Sequence, residues 1–345
     1  MFTNKAPNQI GILLICLCIS NKIQASTLDS LDLIVDDLTQ FILYRNHDTN
    51  YIGNQSDKLA AKIFLKEKFN FFQLYDRELD EGLNYRPQFG LNPGFGLAYK
   101  WFSLDISFPV QLRHQAESSS KSQYFDFQAR IFSQKQFIET TLQYYFGYVQ
   151  DKNGLLNSNT EQDFIYRNDI RTIHLGLQYF YVSNYTRFSI RAPFIMNDIQ
   201  KQCAGSFVYG VGFNIFNIDA DSSMVPEHKQ DAVNPELNYT DYNILSLSAK
   251  IGYMYSFVLK KHWFLTIGAI PGINLNAGDY YLKQRTPIGY HWSFNLKGTL
   301  ALGYNGDSFY SGIKAISDAY GTRNTSQTGT RISHGELSVF VGYRF

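Results

Sequence analysis

The chain has 345 residues and a mass of 39.7 kDa, and 31 Lys+Arg against 30 Asp+Glu leave a formal charge of +1. That balance excludes the overall basic field of a nucleic-acid binder, and a hydrophobic content of 44% excludes a mostly disordered chain. Aromatic residues make up 16% of the chain although mean hydropathy is only -0.24, and 25 Gly with 9 Pro fit neither collagen nor a low-complexity linker.

Met1 to Ala25 reads as a secretory signal peptide. Lys5 supplies the positive n-region, Ile10 to Ile19 the apolar core, and Ile23-Gln24-Ala25 a cleavage site before Ser26. The apolar run is too short for a spanning helix, which needs about 20 residues. Ile15 and Leu17 are bulky where acylation of Cys16 or Cys18 requires a small neighbour. Once the leader is removed only Cys203 remains, which excludes an intramolecular disulfide and a cysteine metal cluster.

Residues 26–57 form a second region. Leu28, Leu31, Val35, Leu38 and Ile42 recur at helical spacing with Asp29, Asp32, Asp36 and Asp37 between them, which predicts a short amphipathic helix in the periplasm. It packs near a barrel mouth or enters as a plug. His47 to Ser56 is a polar connector.

From Lys58 to Phe345 the period is two. In Ile288 to Tyr304 one face carries Tyr290, Trp292, Phe294, Leu296, Leu300 and Leu302, and the other carries His291, Ser293, Asn295, Lys297 and Thr299. The runs Leu245 to Phe257, Ile173 to Tyr181 and Phe102 to Val110 repeat the alternation. A soluble sandwich alternates too. These strands, however, exceed the five or six residues usual in soluble sheets, and their Tyr and Phe cluster at strand ends like interface girdles. The chain ends on Leu337, Val339, Val341, Tyr343 and Phe345, an alternating strand with an aromatic terminus that looks like the signal read by barrel-assembly machinery. A sheet in lipid must close on itself, because lipid cannot satisfy a free edge. The expectation is an all-β, closed, up-and-down antiparallel transmembrane barrel in the cell outer membrane. About 13 strand-like segments are visible where an even number is needed, and the conflict falls between Ile199 and Tyr239. Twelve strands are expected, with 14 as the alternative. Short connectors are expected at Lys100-Trp101, Ser133 to Gln136, Val182 to Asn184, Leu259 to His262 and Asn305 to Asp307.

Several phrases resemble a known family: Asp48-Thr49-Asn50-Tyr51-Ile52, Leu83-Asn84-Tyr85-Arg86-Pro87, Tyr99-Lys100-Trp101-Phe102-Ser103-Leu104, Tyr124-Phe125-Asp126-Phe127-Gln128, Lys201-Gln202-Cys203-Ala204-Gly205-Ser206-Phe207, Asp221-Ser222-Ser223-Met224-Val225-Pro226 and Gly303-Tyr304-Asn305-Gly306. Together they resemble the Bacteroidota outer-membrane barrels grouped as domain of unknown function 4421, across nearly the whole mature chain. The resemblance implies a Gram-negative outer-membrane location and a barrel fold. It carries over no activity, cofactor or site residue.

The residues offer three candidate sites. His291, Ser293 and Asn295 share one face of a strand, and outer-membrane phospholipases also place a His and a Ser two residues apart. Alternation sends Trp292 and Phe294 to lipid and leaves His291 and Ser293 in the lumen, away from acyl chains, so polar lumen lining is the preferred reading. Asp219, Asp221, Ser222 and Ser223 offer oxygen ligands without the spacing of a calcium loop. Inward basic positions are Lys62, Lys66, Lys68, Arg130, Arg187, Arg191, Lys250, Lys297 and Arg344, against Asp105, Asp126 and Glu139. They either line a narrow, anion-preferring porin-like pore or pair among themselves in a filled interior. The expected function is thus non-enzymatic, as a channel or as a scaffold and binding barrel working through its extracellular loops. The alternative is a lipid hydrolase using Ser293 and His291. No cofactor, metal or nucleic acid is expected. The partners are outer-membrane lipid, the assembly machinery and a periplasmic or surface protein.

Overall fold

The computed structural model describes residues 46–77, 81–88, 90–99, 102–108, 122–151 and 164–345. The signal peptide and the helix read at Leu28 to Ile42 lie outside the described residues. A three-residue strand β1 (Ile52–Asn54) falls in the polar connector, and the alternating pattern then folds into β2 (Ala60–Asp76), β3 (Glu81–Arg86), β4 (Asn92–Tyr99), β5 (Phe102–Ser107), β6 (Gln123–Phe132), β7 (Gln136–Asp151) and β8 (Phe164–Val182). A one-turn helix α1 (Arg191–Ile195) and β9 (Asp198–Gln200) follow. The chain then continues as β10 (Ala204–Asp219), β11 (Asp241–Leu259), β12 (Trp263–Tyr281), β13 (Arg285–Asn305), β14 (Phe309–Arg323) and β15 (Thr328–Arg344).

From β10 to β15 each strand pairs antiparallel with the next, and β8 pairs with both β7 and β10. The sheet closes where β15 meets β2, from Thr328 opposite Asp76 to Arg344 opposite Ala60. β3 and β4 are two halves of one crossing, since both pair with β2: β3 with Phe72–Asp76 and β4 with Ala60–Lys66. β3 passes the ring on to β7, while β4, β5 and β6 build the wall below it. The thirteen strands of this sheet therefore make twelve crossings among the described residues. At the edge of the stretch where the strand count conflicts lies the short β9. It pairs only with β1 and is not part of the barrel wall.

The faces follow the alternation. Leu296, Leu300 and Leu302 of β13, and Leu337, Val339 and Val341 of β15, point outward and are exposed. In a soluble protein this apolar belt would be a gross liability, and in hydrocarbon it is the required surface. Phe345 is also outward, and its backbone N–H donates to the Leu59 carbonyl at 2.9 Å, tying the last residue to the entry of β2. Gly147, at φ 82°, sits where the β7–β8 register shifts, a bulge position that favours a residue without Cβ.

The connector after β8 departs from expectation. Val182 to Asn184 reads as a short turn, yet residues 183–203 separate β8 from β10. Residues 188–200 are all buried, because this segment folds back into the barrel from the periplasmic end. It forms a plug at that end of the barrel.

Candidate functional site

The lumen is the natural candidate, and it is filled in three layers. The periplasmic layer is the plug. Phe188, Ile190, Phe194 and Ile195 pack with Phe132, Phe137, Phe180 and Val208 from the wall. The Phe194 ring lies 5.5 Å from that of Phe132 and 6.3 Å from that of Phe137. Polar groups hold the plug backbone. Arg344 Nε donates to the Met196 carbonyl at 2.9 Å, and Asn305 Nδ2 donates to the Asp198 carbonyl at 3.0 Å. β1 adds a strand from the amino-terminal side, pairing Ile52 with Gln200 and Asn54 with Asp198.

The middle layer consists of charges bridged across the barrel. Lys297 on β13 reaches Glu139 on β7, five crossings away, at 2.6 Å and also meets Asp318 at 2.7 Å. Glu139 takes Arg130 at 2.7 Å. Glu336 gathers Lys66 at 3.1 Å, Lys314 at 3.5 Å and Arg130 at 3.6 Å. Lys68 meets Asp126 at 2.9 Å, Lys62 meets Asp105 at 2.9 Å, and Lys250 meets Asp318 at 3.5 Å. His174 on β8 and His334 on β15 face each other from opposite walls with ring centroids 4.7 Å apart. One space bordered by Glu139, Lys297, Asp318 and His334 and another bordered by Asn70, His174 and His334 are about 10 Å³ each, room for no more than one water apiece.

The extracellular layer is aromatic. Tyr85, Tyr145, Tyr148, Tyr242 and Tyr320 point inward, and the loop 220–240 folds over them, burying Met224, Val225, Leu237 and Tyr239. Arg167 pins that loop by donating to the Ser223 carbonyl at 2.9 Å and the Met224 carbonyl at 3.1 Å. Burial pushes the Tyr239 phenol well above its ordinary value, so its hydroxyl stays protonated and shares a hydrogen bond of 2.9 Å with Thr330.

The sequence candidates divide accordingly. Lys62, Lys66, Lys68, Arg130, Lys250 and Lys297 lie inside the wall with carboxylate partners. Arg187 and Arg191 were expected on an inward strand face and do not sit on one, because both belong to the connector 183–203. Arg187 is exposed with its guanidinium 5.1 Å from the Tyr51 ring, and Arg191 is buried in α1 with Asp198 at 4.0 Å. Arg344 is buried at the plug, where it also donates to Asn305 Oδ1 at 2.5 Å. Lys314, Asp318 and Glu336 were missed. Each occupies the inward parity of a strand already assigned, so carrying the alternation through β14 and β15 would have found them.

His291 and Ser293 do face inward, but they do not bond to each other. Both touch Asn276, whose Nδ2 lies 2.7 Å from Ser293 Oγ and 3.3 Å from His291 Nε2. His291 Nε2 also accepts the Arg323 N–H at 3.1 Å, which leaves the ring's Nδ1–H to donate to the Gly289 carbonyl at 3.1 Å. The imidazole lone pair is therefore already engaged. Asp219 and Asp221 both pair with Arg171, at 3.0 and 2.6 Å.

A closed antiparallel barrel with an apolar belt and a filled interior defines an outer-membrane β-barrel protein. The chain belongs to the family described as Domain of unknown function (DUF4421), whose model matches residues 46–345. No curated protein matches it. Among solved structures it is similar to the outer membrane protease OmpT from Escherichia coli, at 10% identity and a TM-score of 0.39, covering 86% of this chain and 100% of that one. It is also similar to the toluene transporter TodX of Pseudomonas putida, at 8% identity and a TM-score of 0.26, covering 87% and 94%. Likenesses this distant concern the fold alone.

Proposed function

We propose that this protein is a closed, non-enzymatic barrel that works as a scaffold or binding element through its surfaces rather than as a conduit. The observation that carries this reading is the bridging of opposite walls by Lys297 and Glu139, with Asp318 beside Lys297, between a folded loop above and a packed plug below. A twelve-stranded wall is wide enough to leave a lumen unless something fills it. Here every cation named in the middle layer has a carboxylate within 4.0 Å, so the basic excess read from the sequence provides no free lane for anions. The loop 220–240, held against the rim by Arg167, forms a firm extracellular platform for a surface partner.

Proteoliposomes holding the folded barrel test this directly. They should take up small sugars no faster than empty vesicles, and swelling rates typical of a porin would contradict the reading. The same vesicles test the enzyme alternative. Phospholipid and lysophospholipid should persist unchanged in the wild type and in Ser293→Ala alike. Fatty-acid release that disappears with Ser293→Ala would establish hydrolysis.

A further inference from the structure

β13 and β14 run together only from Asn295 opposite Tyr320 to Asn305 opposite Tyr310. Beyond the Asn295–Tyr320 pair, toward the extracellular end, they part. β13 continues to Arg285 on β12 alone, and β14 continues to Arg323 on β15 alone. Among the described residues the one hydrogen bond across this stretch is His291 Nε2 accepting the Arg323 N–H, a side chain standing where a ladder would run. The result is a notch of about 360 Å³ in the outer wall. Its floor is small, with Ala319 and Gly321 facing outward, and a Cβ added to Gly321 would meet nothing nearer than the Phe294 carbonyl at 3.6 Å. One wall is aromatic, and with no β14 neighbour beside them Trp292 is 65% and Phe294 80% exposed.

The extracellular end of this notch is basic. Arg77, Arg323 and Arg331 all line it. Arg331 donates to Gln73 Oε1 at 2.9 Å and stands 5.7 Å from the Tyr75 ring, and Arg77 lies 3.5 Å from the Ser326 carbonyl. Among the described residues none of the three forms an ion pair with a carboxylate, in contrast to the paired cations of the lumen. The outward carboxylate of β2, Glu67, lies opposite Leu337, well below the notch.

We propose that this notch binds an anionic, phosphate-bearing lipid of the outer leaflet. One acyl chain lies over Ala319 and Gly321 against Trp292 and Phe294, and the phosphate is held by the guanidinium groups of Arg323 and Arg331, with Arg77 beside them. Guanidinium forks match phosphate oxygens in pairs, and aromatic side chains favour the interfacial depth at which headgroup and chain meet. The occupant is lipid because the notch opens on the lipid face at the extracellular end of the wall, and its phosphate follows from the unpaired arginines. This goes beyond the closed-scaffold reading and does not depend on it.

The chain has three Trp, so Trp101→Phe with Trp263→Phe leaves Trp292 as the sole reporter. The test reconstitutes this protein into phosphatidylcholine vesicles carrying a minor fraction of dibrominated phosphatidylglycerol, and reads Trp292 quenching. At low salt, quenching should correspond to a local enrichment of about fivefold over the bulk mole fraction. It should fall to the bulk value in Arg323→Gln/Arg331→Gln and in Gly321→Leu, which fills the floor. Heat-modifiable gel mobility establishes that each variant is folded. Quenching that tracks bulk composition in the unsubstituted barrel would overturn the proposal. So would enrichment that survives both variants, or equal enrichment of brominated phosphatidylcholine.

Discussion

Glu336→Ala should lower the unfolding free energy of the barrel by about 3–5 kcal/mol, the cost of breaking a buried pair from one side. Glu336 is almost fully buried and faces Lys66, Lys314 and Arg130 at once. Its loss leaves three cations together in a space closed to water above and below. Urea titration of the vesicle-embedded protein, followed by tryptophan fluorescence, measures the change. Adding Lys314→Met should recover part of it, because one of the stranded charges is then gone, so the two substitutions should be strongly non-additive. A loss below about 1 kcal/mol would mean that water reaches the layer and screens it.

Phe194→Ala should cost about 3–5 kcal/mol, as for other buried phenylalanines. This ring anchors the plug between Phe132 and Phe137, and removing it leaves a cavity at the junction of connector and wall. The effect separates two accounts of residues 183–203. A loose periplasmic loop would tolerate the change within about 0.5 kcal/mol, whereas a packed plug cannot. The variant should still fail to conduct, because Lys297, Glu139 and Asp318 continue to bridge the lumen above the plug.

Much of the fold was legible because a transmembrane strand writes its environment into every second residue. Leu296, Leu300 and Leu302 had to face lipid, and Lys297 and Thr299 then had to face inward. Parity also placed Lys250 and Lys297 in the lumen, but it could not say what they met there. Asp318 sits directly beside Lys297 on the neighbouring β14, but Glu139 comes from β7 across the ring, and which strands face each other depends on strand number and tilt. The plug was illegible for a different reason. Phe188, Ile190, Phe194 and Ile195 are apolar at short intervals, which resembles another strand, and nothing local shows that a chain turns back into a barrel. The unusual left-handed backbone of Met196, at φ 56° just past α1, belongs to that turn, yet methionine does not advertise it as glycine would. The seam between β13 and β14 was equally hidden, since the His291 to Phe294 pattern looks the same whether or not a neighbour is paired beside it.

Single-channel recording of the refolded barrel in a planar bilayer tests the closed lumen most directly. The account predicts a silent membrane across a wide voltage range for protein whose heat-modifiable mobility shows it to be folded and inserted, with silence persisting in Phe194→Ala. Reproducible open steps from the wild type, above all with anion selectivity in a salt gradient, would contradict it and would restore the basic positions to the role of a pore lining.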